Sequence, residues 1–201
     1  MRKKKEPQNM GLPNKMFVKF GVMSKSDFGK NHIISYSFFS SQFGKIIVAS
    51  MPKGVCYVGY VTSYESALRE LQHRFPNNSF RHQKNKNHEH VKKLFAGKWE
   101  KGEKLLLCLK GTPFQLKVWE ALLKISTGSL SSYGKIAAFI GYPKAQRAVG
   151  TAIGRNPILY IIPCHRVIAQ NGKLGGFYWG IEKKIELLNW ENAGGYLHFV
   201  S

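Results

Sequence analysis

The sequence predicts an α/β fold: an N-terminal α/β domain on a small antiparallel sheet and a C-terminal helical domain containing a helix-turn-helix. Three observations predict this. Short β-rich runs separated by turn residues occupy the first half of the chain. At Gly111 the apolar pattern changes to a helical period. Further on, two short helical stretches meet at a Gly141-Tyr142 turn, as in a helix-turn-helix.

The elements follow in order. Residues 1–32 are basic and show little periodicity, so they read as a flexible arm. The arm is either a contact for a polyanion or a solvated tail. The N-terminal domain is expected over residues 33–110, with strands at about 35–39, 44–50 and 54–60. Thr62-Ser63-Tyr64-Glu65 has the form of a capping box, opening a helix to about Arg74 with Ala67, Leu68 and Leu71 on one face. Residues 75–87 contain Pro76, Asn77 and Asn78 and read as a loop. A second helix over residues 88–95 and a strand at 104–109 complete this half. The C-terminal domain spans residues 111–195, before a tail at 196–201. Thr112 suits an N-cap and Pro113 a first helical position, with Phe114, Val118, Leu122 and Ile125 at helical spacing. Ser132 caps a short helix ending at Gly141. Pro143 opens the next, ending near Gly154. Ile181, Ile185 and Leu188 mark a last helix.

Thirty-one Lys and Arg residues against 11 Asp and Glu give the 201-residue chain a formal charge of +20. Such an excess favours a polyanion, nucleic acid first. No apolar run is long enough to cross a membrane. Arg2, Lys3, Lys4 and Lys5 are not followed by the apolar segment of a secretory signal. Cys56, Cys108 and Cys164 form no disulfide framework and no Cys-x-x-Cys pair, which fits a reducing compartment. Cys56 and Cys108 sit in apolar runs and read as inert core. His73, His82, His88 and His90 lack metal-ligand spacing and read as solvated loop histidines, so no metal is expected.

The segment Ile161-Ile162-Pro163-Cys164-His165-Arg166-Val167 carries the chemistry. A thiol becomes a strong nucleophile as the thiolate, and a neighbouring histidine can act as its base. Pro163 restricts the backbone just before the sulfur. On these residues alone a buried structural cysteine remains open beside a catalytic one. Around the segment stand Ser132-Tyr133-Gly134-Lys135-Ile136-Ala137-Ala138, Pro143-Lys144-Ala145-Gln146-Arg147-Ala148-Val149-Gly150, Asn156-Pro157 and Leu174-Gly175-Gly176-Phe177-Tyr178-Trp179-Gly180. Together they resemble the O6-alkylguanine-DNA alkyltransferases, or methylated-DNA–protein-cysteine methyltransferases, over about residues 35–195.

The resemblance implies an N-terminal domain of ribonuclease H-like topology and a helical domain with the reactive cysteine behind its helix-turn-helix. It implies base flipping and single-turnover transfer of the alkyl group from O6-alkylguanine in duplex DNA to Cys164, without a cofactor. His165 matches the base that acts through a bridging water, Glu191 the carboxylate that orients it, and Asn156 the residue holding the preceding turn. Tyr133 matches the residue beside the flipped base, and Arg147 the side chain that replaces it in the stack. Ala145, Ala148, Gly150 and Ala152 give the second helix a small-sided face for the minor groove. The carbonyls of Cys164 and Val167 would receive the guanine amino group, the amide of Tyr178 would face O6, and Ile153 would pack on the ring. Lys184 matches a family lysine near the active-site loop, and Arg166 is expected to pair within the protein. Leu159 and Phe177 stand where some members have proline and tyrosine, which bears on substrate range. A monomer in the cytoplasm, or the nucleus of a eukaryote, is expected. Two other readings are an alkyltransferase-like lesion sensor, which lacks the cysteine, and a helix-turn-helix transcription regulator, which has no use for Pro163-Cys164-His165.

Overall fold

The computed structural model describes residues 17–23, 32–100 and 103–191. The first half comprises β1 (Phe17–Val22), β2 (Ile33–Ser41), β3 (Gly44–Met51), β4 (Gly54–Tyr60), α1 (Tyr64–Arg74), β5 (Ser79–His82), α2 (Lys86–Phe95) and β6 (Lys104–Leu109). The second comprises α3 (Pro113–Leu122), β7 (Ser131–Ser132), α4 (Tyr133–Phe139), α5 (Gln146–Gly154), a 3-10 turn at Cys164–Arg166, β8 (Val167–Ile168) and α6 (Ile181–Trp190).

The six-stranded sheet has the order β1-β6-β4-β3-β2-β5. It is mixed, which corrects the antiparallel expectation. The β2-β3-β4 meander is antiparallel, while β5 joins β2, and β6 joins both β4 and β1, in parallel. Helical crossovers are what permit parallel neighbours, and α1 and α2 supply them. Two further corrections concern strands. Phe17–Val22, within the expected arm, is β1; residues 1–16, including the basic run at Arg2 to Lys5, lie outside the described residues, as does the tail at 196–201. Ser79–His82, within the expected loop, is β5 at the sheet edge.

Alternation along the strands sorts the core into two layers. Ile46 and Val48 face α2 and the helical half, with Leu105, Leu107 and Leu109 of β6 beside them. Ile47, Ala49 and Met51 face α1, where Ala67 and Leu71 cover them, together with Cys56 and Cys108. Both cysteines are buried and form no disulfide, as expected of core thiols. The first layer continues without a break past residue 110: Phe43 and Phe95 meet Tyr160, and Phe43 meets Trp190.

Helix starts follow their caps, some displaced from expectation. The capping box of α1 pairs Ser63 with Ser66, one residue later than read, and Asn85 caps α2. Thr112 and Gln115 form a full box at α3, with Pro113 in its first turn. Ser132 caps α4, whereas α5 starts at Gln146, three residues after Pro143. Trp119 of α3 donates its indole N–H to the Ala152 carbonyl of α5 at 2.8 Å, locking the two helices together. Among the described residues no helix is long and apolar enough to cross a membrane.

Candidate active site

The chain reaches Cys164 through a short extended segment anchored on the sheet. The Val58 amide donates to the Pro157 carbonyl and the Leu159 amide to the Val58 carbonyl, both at 2.9 Å, so Ile158 pairs with β4 as an added partner. Tyr160 follows with φ of 65°, a left-handed conformation that costs a non-glycine residue on the order of 1–3 kcal/mol. Packing holds it there. Its ring lies between Phe43, Phe95 and Trp190 and stacks on His165 at 5.7 Å.

Cys164 opens the 3-10 turn and is buried. The Asn156 side-chain amide donates toward the Ile162 carbonyl at 2.8 Å and toward Cys164 Sγ at 3.1 Å, while its oxygen accepts from the Ile158 amide at 2.9 Å. Asn156 therefore spans the turn and touches the sulfur. Burial pushes the Cys164 thiol pKa up; the hydrogen bond from Asn156 and the Lys184 charge oppose that rise without cancelling it. The resting group is a thiol that needs a base.

The candidate base, His165, stands next in sequence. His165 is wholly buried, and its Nε2 meets Glu191 Oε1 at 3.0 Å. Its Nδ1 is buried without a hydrogen-bond partner among the described residues. Burial lowers the His165 pKa, and Glu191 only partly restores it, so the ring is neutral at pH 7 and can accept a proton. Arg166, as expected, pairs within the protein: it grips Glu191 at both oxygens, at 2.8 and 2.6 Å, and extends to Thr127 at 3.1 Å. Burial alone would raise the Glu191 carboxyl, but the hydrogen bonds from His165 and Arg166 outweigh it and hold it at about 2.

In front of the sulfur lies a cavity of about 380 Å³. Of the residues picked out by sequence, Tyr133, Gly150, Ile153, Asn156, Cys164, Phe177 and Tyr178 line it. Gly154, Gly176 and Trp179 line it too and were missed as site residues, although the glycine-aromatic run containing two of them was a visible signal. Gly175 shows why that run holds glycine. Its φ is 69°, and a Cβ there would stand 2.7 Å from Tyr133 Oη.

Other candidates lie elsewhere. Arg147 and Ala148 are exposed on α5, outside the cavity. Val167 is buried beyond its wall, with its carbonyl accepting from Lys184 Nζ at 2.6 Å; a carbonyl has a second lone pair, so a further donor is not barred. Lys184 also donates to the Leu174 carbonyl, pinning the active-site loop, and burial lowers its pKa to about 8. None of the four histidines lies in a loop: His73 is exposed on α1 and His82 on β5, His90 is half-buried on α2, and His88 is not solvated at all. It sits buried on α2 between Ser37 Oγ at 2.9 Å and Ser50 Oγ at 3.0 Å, and burial lowers its pKa to about 4. Among the described residues no three His, Cys, Asp or Glu side chains gather as metal ligands.

Residues 113–193 match the model of the 6-O-methylguanine DNA methyltransferase DNA-binding domain. A methylated-DNA–protein-cysteine methyltransferase of Methanosarcina acetivorans is 39% identical over 79% of this chain and 98% of its own length. The chain belongs to the methylated-DNA–protein-cysteine methyltransferase family. Within this family, a Mycobacterium tuberculosis enzyme is 55% identical over 87 residues, 53% of its length. The chain spans about half of two longer relatives, the bifunctional transcriptional activator/DNA repair enzyme Ada of Escherichia coli (35% identity, 47% of its length) and the Salmonella typhimurium regulatory protein Ada (35%, 50%). The mixed α/β fold matches solved methyltransferases. The M. tuberculosis protein in complex with DNA superposes with a TM-score of 0.63 at 33% identity, over 83% of this chain and 99% of that one. The enzyme of the archaeon Pyrococcus kodakaraensis gives 0.61 at 27% identity, over 79% and 98%.

Proposed function

We propose that this protein repairs double-stranded DNA by moving the alkyl group of O6-alkylguanine irreversibly onto Cys164. The observation that carries this reading is the buried sulfur at the floor of the 380 Å³ cavity, touched by Asn156 and followed by the His165–Glu191 pair. In this reading His165 takes the thiol proton, through a bridging water at Nδ1, and Glu191 steadies the imidazolium that forms. The thiolate attacks the alkyl carbon; the S–C bond forms as the C–O6 bond breaks, and the guanine leaves with the electron pair and takes up a proton. A thioether has no ready leaving group, so each molecule acts once.

The lesion lies inside the base stack and must be turned out to meet a buried thiol. We assign Tyr133 to the flank of the flipped base, Arg147 to its vacated place in the stack, and Ala148 and Gly150 to close approach along the minor groove. Ile153 and Phe177 would face the base, the Tyr178 amide would donate toward O6, and the Cys164 and Val167 carbonyls would receive the amino group. The +20 charge supplies the attraction to DNA. α4 and α5 are read as a helix-turn-helix, the β2-β3-β4 meander with parallel β5 as ribonuclease H-like, and the working form as a monomer in a reducing compartment, the cytoplasm or a nucleus.

The test is incubation with a duplex oligonucleotide carrying O6-methylguanine, followed by peptide mass analysis. Cys164 should carry one methyl group per molecule, and Cys164→Ala should carry none while still binding the duplex. Methylation on Cys56 or Cys108, or repeated turnover, would refute the assignment.

A further inference from the structure

Tyr178 is the one side chain among the described residues that lines three neighbouring cavities. One is the 380 Å³ pocket over Cys164. Another is a groove of about 700 Å³ between α1 and α3, bordered by Arg74, Lys110, Trp119 and Arg155. The third is a hollow of about 380 Å³ against β4. Gly154 lines both the pocket and the larger groove but has no side chain to divide them, which leaves that division to Tyr178. Tyr178 is 52% exposed, so burial does not hold it in place. Polar contacts from the other half of the chain hold it. Its hydroxyl donates to Glu70 Oε1 at 2.9 Å, and Arg74 Nε donates to the same oxygen at 2.6 Å. The Arg74 guanidinium lies 5.5 Å from the Tyr178 ring and 5.2 Å from that of Tyr57.

We propose that Glu70 and Arg74 of α1 are positioning residues that clamp Tyr178 as a partition between the alkyl-transfer pocket and the α1–α3 groove, restricting transfer to small O6 substituents. The inference rests on the alkyl-transfer reading and adds its substrate range. A base of guanine size with a methyl group stays on the pocket side. A bulky aromatic substituent needs the groove, and reaches it only when the clamp lets go. A charge-assisted hydrogen bond to a carboxylate is strong enough to bias such an equilibrium, yet weak enough for one substitution to release it.

The experiment compares alkylation rates of Cys164 by duplexes carrying O6-methylguanine or O6-benzylguanine, in the wild type, Glu70→Ala, Tyr178→Phe and the double variant. Each single change should raise the benzyl-to-methyl rate ratio by about fivefold, the scale of one lost hydrogen bond, and the double variant should add nothing, because both remove the same contact. Hydrogen exchange of the 175–180 backbone should quicken in all three. A defect of folding would slow both substrates alike and leave the ratio unchanged, which would overturn the proposal; so would an additive double variant. Tyr178→Phe loses one oxygen at an exposed position and keeps the test open if Glu70→Ala misfolds. A wild type that alkylates Cys164 with neither duplex defeats the alkyl-transfer reading itself; unchanged exchange at 175–180 defeats the clamp.

Discussion

Glu191 is the side chain on which the buried polar groups behind the cysteine depend. It neutralises Arg166 and orients His165, and both lose their partner charge if it goes. Glu191→Gln should cost about 3 kcal/mol, the scale of breaking one buried ion pair, and should slow transfer at least about tenfold; urea unfolding and single-turnover kinetics would measure the two. Acid acts on the same residue. Its folded pKa of about 2 lies below the ordinary carboxylate value, so it contributes stability above about pH 4.5 that is lost as the pH falls toward 2. His88 acts in a higher window. A depressed histidine pKa means that the neutral ring is the folded form, so its contribution is complete above about pH 6.5 and is lost as the pH falls to about 4. The His88 contribution to wild-type stability should therefore fall by roughly 3 kcal/mol between pH 7 and 4, and His88→Gln should flatten that slope; unchanged curves would show that the Ser37–His88–Ser50 bridge does not titrate. The resemblance picked out Cys164, His165, Glu191 and Asn156 as candidates, and the fold joins them in two pairs, Asn156 with Cys164 and His165 with Glu191. The burial of His88 was not legible, because its partners lie on β2 and β3, far away in sequence.

Helices were easier to read than strands. A capping box and period mark α3, period alone marks α6, and Ser132 marks α4, because those signals are local in the chain. β1 and β5 carry too little alternation to stand out, and each pairs in parallel with a strand distant in sequence, β1 with β6 and β5 with β2. The start of α5 differs for a related reason: residues 143–145 form a turn in which the Ala145 amide bonds the Tyr142 carbonyl, delaying the helix to Gln146. The delay leaves Arg147 in the first turn of α5, exposed and outside the pocket. Its proposed work is with the DNA stack and not with the reacting atoms. Arg147→Ala should therefore slow repair of a duplex about tenfold or more, the cost of unassisted base extrusion, but leave reaction with free O6-benzylguanine nearly intact. Equal losses on both would assign it to the chemistry instead.

At the scale of the whole molecule, the sequence divides near residue 110 but the structure has no seam there. The change of period at Gly111 was visible; the shared core was not, because Phe43, Phe95, Tyr160 and Trp190 are brought together only by the closed fold. Backbone joins the halves as well as side chains. β4 divides one edge between two partners, Val55 facing Leu107 of β6 and Val58 facing Ile158 on the way to the cysteine. A nick in the connection near residue 110 would leave every one of those contacts available. Two separately produced pieces, 1–110 and 111–201, should each be poorly structured, yet reassemble on mixing into a particle whose thiol again accepts alkyl groups. Gel filtration with a reactive-thiol label would follow the reassembly. If the second piece reacts alone, β4 is dispensable. If the pair does reassemble, alkyl transfer becomes a reporter that switches on only where two partner-fused fragments meet.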